Sequence, residues 1–296
     1  MAIAISSSVK VAVAQVATDL HDLDANLARH RAFIAKAQEA GADLLLFPEL
    51  SLTGYQVADR AVDLAMEKFD PRLLSLAEAA GEMTVVCGFV EEGYAAQFYN
   101  AAAVLRRGRV DFVHRKINLP SYGRMEEDKY FAEGRYVEVF PLATPWSVGL
   151  LICADLWNPA LVHLAALHGA TMMLSPIASA NAVVGGDFSN PDGWDVSLRF
   201  YAMMYGMPIL MANIAGQEGD LHFWGGSRIL DPHGQVLAQA DGDEEVLLTA
   251  ELDYDAVRRA RFALPTVRDS NLDLIHREVD RLVNRVGVPV GIRRTV

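Results

Sequence analysis

The sequence predicts an α/β protein in which sheets pack face to face and helices cover the outside. Three observations lead there. Apolar runs of strand length alternate with stretches of helical periodicity along most of the 296 residues. The alternation runs through two successive halves, each with a hairpin inside it. No Ser/Gly-rich linker separates the halves. One domain is therefore expected over 1–296, with a core of about 8–253 and a C-terminal extension over 254–296.

Taken in order, residues 9–16 read as a strand and 23–40 as a helix closed by Gly41. A strand over 43–47 leads into a loop through Thr53, Gly54 and Tyr55. The stretch 71–80 reads as a short helix closed by Gly81. Strands follow at 84–90, 101–106 and 110–115, the last two joined as a hairpin by Arg107 and Gly108. The second half opens with a strand over 148–153, a helix over 159–168 closed by Gly169, and a strand over 171–175. A helix over 195–205, closed by Gly206, precedes a strand over 208–213. Segments 226–230 and 235–240 flank the turn Asp231-Pro232-His233-Gly234, and 245–252 is a last strand. Helices over 254–261 and 275–286, with Pro265 between them, form the extension, an arm suited to packing on a partner subunit.

Composition narrows the function. A hydrophobic content of 52% is ample for a large core, and the apolar runs are far shorter than the ~20 residues of a membrane span. Residues 1–8 lack the pattern of a signal peptide. The formal charge of −12 argues against a nucleic-acid partner, which would require a basic stripe. The short basic run at Arg258, Arg259 and Arg261 reads as a solvated helix face. Two cysteines make no disulfide framework, and a reducing cytoplasm is expected. No Cys/His spacing resembles a zinc site, and the glycines form no phosphate loop, so neither metal nor cofactor is expected.

Three apolar strands end on chemically useful residues: Glu49, Lys116 and Cys153. A cysteine attacks as thiolate, yet a free thiol with a pKa near ~8.5 is only slightly ionised at neutral pH. A carboxylate can take the thiol proton and return it to a leaving amine. An ammonium can face the oxyanion formed at the attacked carbon, and the N–H of Ala154 offers a second donor. Each residue singly also fits a structural role, as Cys87 does in the core run Val85-Val86-Cys87-Gly88-Phe89. Their joint occurrence with their flanking residues favours catalysis.

These segments resemble motifs of the nitrilase (carbon–nitrogen hydrolase) superfamily. Phe47-Pro48-Glu49-Leu50 with Thr53-Gly54-Tyr55 is similar to its general-base motif. His114-Arg115-Lys116-Ile117-Asn118-Leu119-Pro120 is similar to its lysine motif, and Leu151-Ile152-Cys153-Ala154-Asp155-Leu156-Trp157 to its nucleophile motif. Phe98-Tyr99-Asn100, the segment from Gly225 to Ile229 and the Asp231 turn also match in kind and order. The resemblance implies a four-layer αββα sandwich, a homodimer or higher homo-oligomer, and a Glu49–Lys116–Cys153 triad. It also implies a second glutamate, placed at Glu127, that holds Lys116 charged; an exposed acidic patch of Glu126, Glu127 and Asp128 is the other reading.

The stretch from Leu119 to Phe131 most resembles the glutaminase domain of glutamine-dependent NAD synthetases. That branch usually carries Cys-Glu-Asp where this chain has Cys153-Ala154-Asp155, and it tends to place a basic residue in the loop that here runs uncharged from Ser175 to Gly186. Many relatives also have a glutamate where Met204 falls. The expected pocket wall, Tyr55, Tyr122, Trp157 and the loop around Ser179, suits an uncharged or partly apolar amide. The expected activity is hydrolysis of a small amide or carbamoyl compound through a cysteine thioester. Alternatives are a nitrilase, a glutaminase-type subunit, or an inactive interaction protein on the same scaffold.

Overall fold

Successive side chains of a strand point to opposite faces, so an apolar strand can serve two cores at once. That is how this chain is built. In the computed structural model, which describes residues 8–185 and 187–285, fourteen strands are found among the described residues. The first five are β1 (Ser8–Gln15), β2 (Leu44–Leu46), β3 (Thr84–Glu92), β4 (Phe98–Arg106) and β5 (Arg109–Arg115). Then come β6 (Val139–Pro141), β7 (Ser147–Leu150), β8 (Met172–Ile177) and β9 (Ile209–Asn213). The last are β10 (Ala215–Glu218), β11 (Leu221–Trp224), β12 (Arg228–Leu230), β13 (Val236–Gln239) and β14 (Val246–Asp253).

One six-stranded sheet has the order β14-β1-β2-β3-β4-β5 and the other the order β13-β12-β9-β8-β7-β6. Parallel pairs lie at the centre of each, β1–β2–β3 in one and β7–β8–β9 in the other. Leu44 and Leu46 face the second sheet, where they share a core with Met172 and Leu174. Leu45, between the two leucines, faces outward onto α1 (Leu23–Glu39) and α3 (Pro71–Ala80), while the short α2 (Ala61–Leu64) packs separately with Leu50 and Val90. Met173 likewise faces outward onto α4 (Pro159–Leu167) and α5 (Asn190–Tyr205). Helix, sheet, sheet, helix: the four-layer αββα sandwich is the observed fold.

Sequence-encoded caps fix the helices. Asp22, Asp70, Asn158 and Ser189 each accept a backbone N–H at a helix start, an arrangement worth ~1 kcal/mol apiece. Gly206 ends α5 in the left-handed conformation at φ 53°. Two helices follow the sandwich. α6 (Tyr254–Ala263) buries Val257 and Ala260, whereas α7 (Leu272–Arg285) leaves Leu272, Ile275 and Val279 exposed. No described helix is long and apolar enough to cross a membrane.

Several expectations need correction. The strand expected over 148–153 ends at Leu150, and Cys153 opens a 3₁₀ turn, Cys153–Trp157. The helix expected from 195 begins at Asn190, because Ser189 caps it and Pro191 is tolerated in a first turn. Strand β4 starts three residues before the expected 101, and β6, β10 and β11 were not expected at all. Of the positions used above, Gly186, Val286 and residues 1–7 lie outside the described residues, as do 287–296.

Candidate active site

The expected residues converge where the two sheets meet. Glu49 follows the end of β2, with Phe47 N–H still bonded to Val86 O at 2.8 Å. Glu49 N–H then turns to Ile177 O, on the other sheet, at 3.4 Å. The chain leaves through Leu50 at φ 47°, a conformation a leucine seldom adopts. Gly88 makes this bend fit: a Cβ there would stand 2.2 Å from Leu50 N and 2.7 Å from Glu49 C. Beneath it the buried His30 stacks on Phe47 at 4.0 Å and bonds Ser51 Oγ at 3.0 Å. Burial lowers the His30 pKa to about 4, so this histidine supports the bend as a neutral ring.

Lys116 follows β5, its N–H on Asn100 O at 2.8 Å and its carbonyl taking Gly134 N–H at 2.7 Å. Its fully buried ammonium donates to Glu49 Oε1 at 2.6 Å and to Glu127 Oε1 at 2.7 Å. Glu126 and Asp128 are exposed while Glu127 is buried, which decides between the two readings of that acidic run. Asn100 Nδ2 ties the carboxylates together, donating to Glu49 Oε1 at 2.8 Å and Glu127 Oε2 at 3.2 Å. Glu49 Oε2 is left buried without a partner among the described residues.

Cys153 comes from the other sheet. Its φ of 44° puts the residue in a left-handed conformation, at a sharp bend between β7 and the 3₁₀ turn. Asp155, two residues on and fully buried, accepts Ile152 N–H at 3.0 Å within that turn. The same carboxylate accepts Ile117 N–H at 3.0 Å and Asn118 N–H at 2.8 Å, just past Lys116. One side chain thus pins the lysine segment to the cysteine turn.

The electrostatics suit a resting thiol beside a charged lysine. Burial raises the Cys153 pKa well above the usual thiol range and Glu49 adds to it, against opposition from Lys116 and a hydrogen bond from the backbone at Ala178. For Lys116, burial lowers the pKa, but Glu127 and Glu49 outweigh it and the result is well above the ordinary lysine value. Cys87 is fully buried, and burial pushes its thiol up to about 12.

Burial is also the main influence on Glu127; Lys116 pulls it back and Glu49 pushes it up again, to about 7. A carboxyl so raised keeps its proton in the folded chain at pH values where the unfolded chain releases it. Stability should therefore decline as pH rises from about 4.5 to about 7. Glu127→Gln cannot ionise, so its thermal midpoint relative to the unmodified protein should rise between about pH 5 and about pH 8. Parallel pH dependence of the two midpoints would sink this account.

A small cavity opens beside Cys153. Ala154, Tyr122, Trp157 and Ser179 line it as expected, joined by Met125, Val183 and Val184. Tyr55, expected in this wall, instead turns its hydroxyl onto Glu127 Oε1 at 2.7 Å. Burial and Glu127 raise the Tyr55 pKa well above its usual value, so it stays a donor. Glu218 fixes the tyrosine from behind, accepting Tyr55 N–H at 2.9 Å and Gln56 N–H at 2.9 Å. Sequence reasoning missed Glu218, Asn190 and the positioning roles of Asn100 and Asp155, although the last two lie inside quoted motifs. Among the described residues no group of three or more His, Cys, Asp and Glu is arranged to hold a metal.

Comparisons with known proteins establish the family. The carbon-nitrogen hydrolase family matches residues 10–262. The glutamine-dependent NAD(+) synthetase of Thermotoga maritima is 32% identical over 273 residues, covering 88% of this chain and 44% of that protein. This chain therefore spans about half the length of that relative. The N-carbamoylputrescine amidase of Arabidopsis thaliana is 26% identical and covers 86% of this chain and 89% of that one. Among solved structures, a mutant of the amidase from Nesterenkonia sp. AN1, with acrylamide added at its active-site cysteine, superposes with a TM-score of 0.75 at 28% identity. It covers 91% of this chain and 99% of that one. A family match over most of its length, on an αββα sandwich, means that this chain belongs to the carbon–nitrogen hydrolase family, the nitrilase superfamily, with particular similarity to glutamine-dependent NAD synthetase.

Proposed function

We propose that the chain is a thiol amidase acting on a small, neutral amide or carbamoyl compound. The observation that carries this reading is the Lys116 ammonium clamped between Glu49 and Glu127, with Glu49 Oε2 left without a partner among the described residues and Cys153 close enough to feel the charge of all three. Glu49 takes the Cys153 proton, and the thiolate forms a C–S bond to the carbonyl carbon as the C=O pair moves onto oxygen. The Lys116 ammonium and Ala154 N–H receive that oxyanion. Glu49 returns the proton to nitrogen, the C–N bond breaks, and ammonia leaves a thioester. Water, deprotonated by Glu49, attacks the thioester; the C–S bond breaks and the thiol regains its proton. Glu127, Asn100 and Tyr55 hold the lysine and the base in place.

Ammonia release from a panel of small amides, carbamoyl compounds and nitriles tests this, with Cys153→Ala as control. Release from nitriles alone would make the protein a nitrilase, and no release from any compound would leave an inactive scaffold.

A second reading, glutamine hydrolysis, draws support from the NAD synthetase similarity. Against it, among the described residues no charged side chain lines the cavity to hold an amino-acid carboxylate. Carrying an unpaired carboxylate there should lower kcat/KM by ~10²-fold or more. L-Glutamine should accordingly lag a neutral amide by that factor in side-by-side kinetics. Glutamine as best substrate would replace the amidase reading with the glutaminase one.

A further inference from the structure

The polar functions in the wall beside Cys153 are few, and two of them belong to Ser179 and Asn190. Both residues are buried, each 5% exposed. The Ser179 oxygen receives Trp194 Nε1–H at 3.0 Å, Trp224 Nε1–H at 3.1 Å and an Asn190 Nδ2–H at 3.3 Å. A hydroxyl has two lone pairs and one hydrogen. The two indoles take its lone pairs, the longer Asn190 contact shares them, and Ser179 has only its hydrogen left to offer.

Asn190 is held the opposite way round. Its Nδ2 donates to Ala180 O at 2.7 Å, and because a carbonyl only accepts, that contact fixes which end of the amide is nitrogen. Asn190 Oδ1 then remains buried with no partner among the described residues. Buried carbonyl oxygens are nearly always satisfied, and Asn190 lines the cavity, so a donor seated in the cavity would complete its amide.

We infer that Ser179 and Asn190 form a donor–acceptor edge that binds a second, neutral N–H-bearing group of the substrate, a carboxamide or ureido function. The inference rests on the amidase reading above. When ammonia is the leaving group, the rest of the substrate stays on the acyl side, so this second group belongs to the acyl part. Its carbonyl accepts the Ser179 hydrogen and its N–H satisfies Asn190 Oδ1. It is neutral because the described lining supplies no charge, with the aliphatic stretch between the two groups lying on Val183 and Trp157. Asn190 is in this account a specificity-determining residue with no part in bond making.

The test compares N-acetylglycinamide with 4-oxopentanamide. Both carry the same primary carboxamide and differ by one N–H in place of CH₂. kcat/KM for each is measured with the unmodified protein and with Asn190→Ala. A preference for the N–H compound of ~10-fold or more is expected, collapsing to within ~3-fold in the variant. A preference of equal size in both proteins, or none in the unmodified one, would overturn the inference. The unmodified protein also decides the matter without turnover, should Asn190→Ala not fold. The concentrations of the two amides that halve the rate of Cys153 alkylation by iodoacetamide should differ by the same ~10-fold. Hydrolysis of neither amide would refute the amidase reading for this class. In that case the protection ratio still speaks for the edge if large and against it if below ~3-fold.

Discussion

Cys153→Ala is expected to abolish amide turnover, a loss of ~10⁵-fold or more, while leaving the thermal midpoint within a few degrees. Alanine removes only the sulfur from a partly buried position, and the left-handed backbone at φ 44° strains both residues alike. The companion measurement is labelling by iodoacetamide with peptide mapping. Cys153 lies in the wall of an open cavity, whereas Cys87 is fully buried with its thiol pushed up to about 12. Label should therefore collect on Cys153. Faster labelling of Cys87, or turnover surviving in the alanine variant, would remove Cys153 from the mechanism.

Glu49→Gln and Lys116→Ala should each reduce kcat/KM by ~10³-fold or more, and the double variant should be little worse than either. The two groups act as one device: a single 2.6 Å hydrogen bond joins them, and the same step uses both. Lys116→Ala carries a second consequence. It leaves Glu49 and Glu127 facing each other in a buried space, and breaking a buried pair of this kind costs ~3–5 kcal/mol of stability. Kinetics on that variant belong well below its shifted midpoint. Losses that multiply in the double variant would mean that the two residues serve separate functions.

Much of the site was legible because its chemistry stands at strand ends. An apolar run that stops on a glutamate, a lysine or a cysteine announces where the fold points a reactive group; Glu49 and Lys116 bond one another, and Cys153 feels the charge of both. Glu127 depended on the family resemblance, since nothing in Glu126-Glu127-Asp128 says which of three acids turns inward. Tertiary burial decides that. The left-handed φ of Cys153 was hidden for a similar reason: Leu151 and Ile152 read as strand, and only Asp155, by capturing Ile152 N–H, bends the chain there. Asn190 sat in a Ser-Asn-Pro-Asp-Gly stretch that reads as loop, until Ser189 caps a helix across it. The β10–β11 ribbon begins with Ala-Gly-Gln-Glu, residues of low strand propensity that pair because the surrounding fold brings them alongside their partner.

Glu49 and Lys116 belong to one sheet and Cys153 to the other, joined by Asp155 and by the Glu49–Ile177 contact. The distance between base and nucleophile is therefore a property of the interlayer, set by how Leu44 and Leu46 mesh with Met172 and Leu174. Proteins close-packed in this way transmit small volume changes, and displacements near 1 Å at reacting groups can cost ~10²-fold in rate. Methylenes in the middle of the sandwich thus act as shims between the two halves of the chemistry. Reaction rate becomes a gauge of sheet alignment, so a trimmed leucine there should slow turnover beyond what its lowered melting midpoint explains.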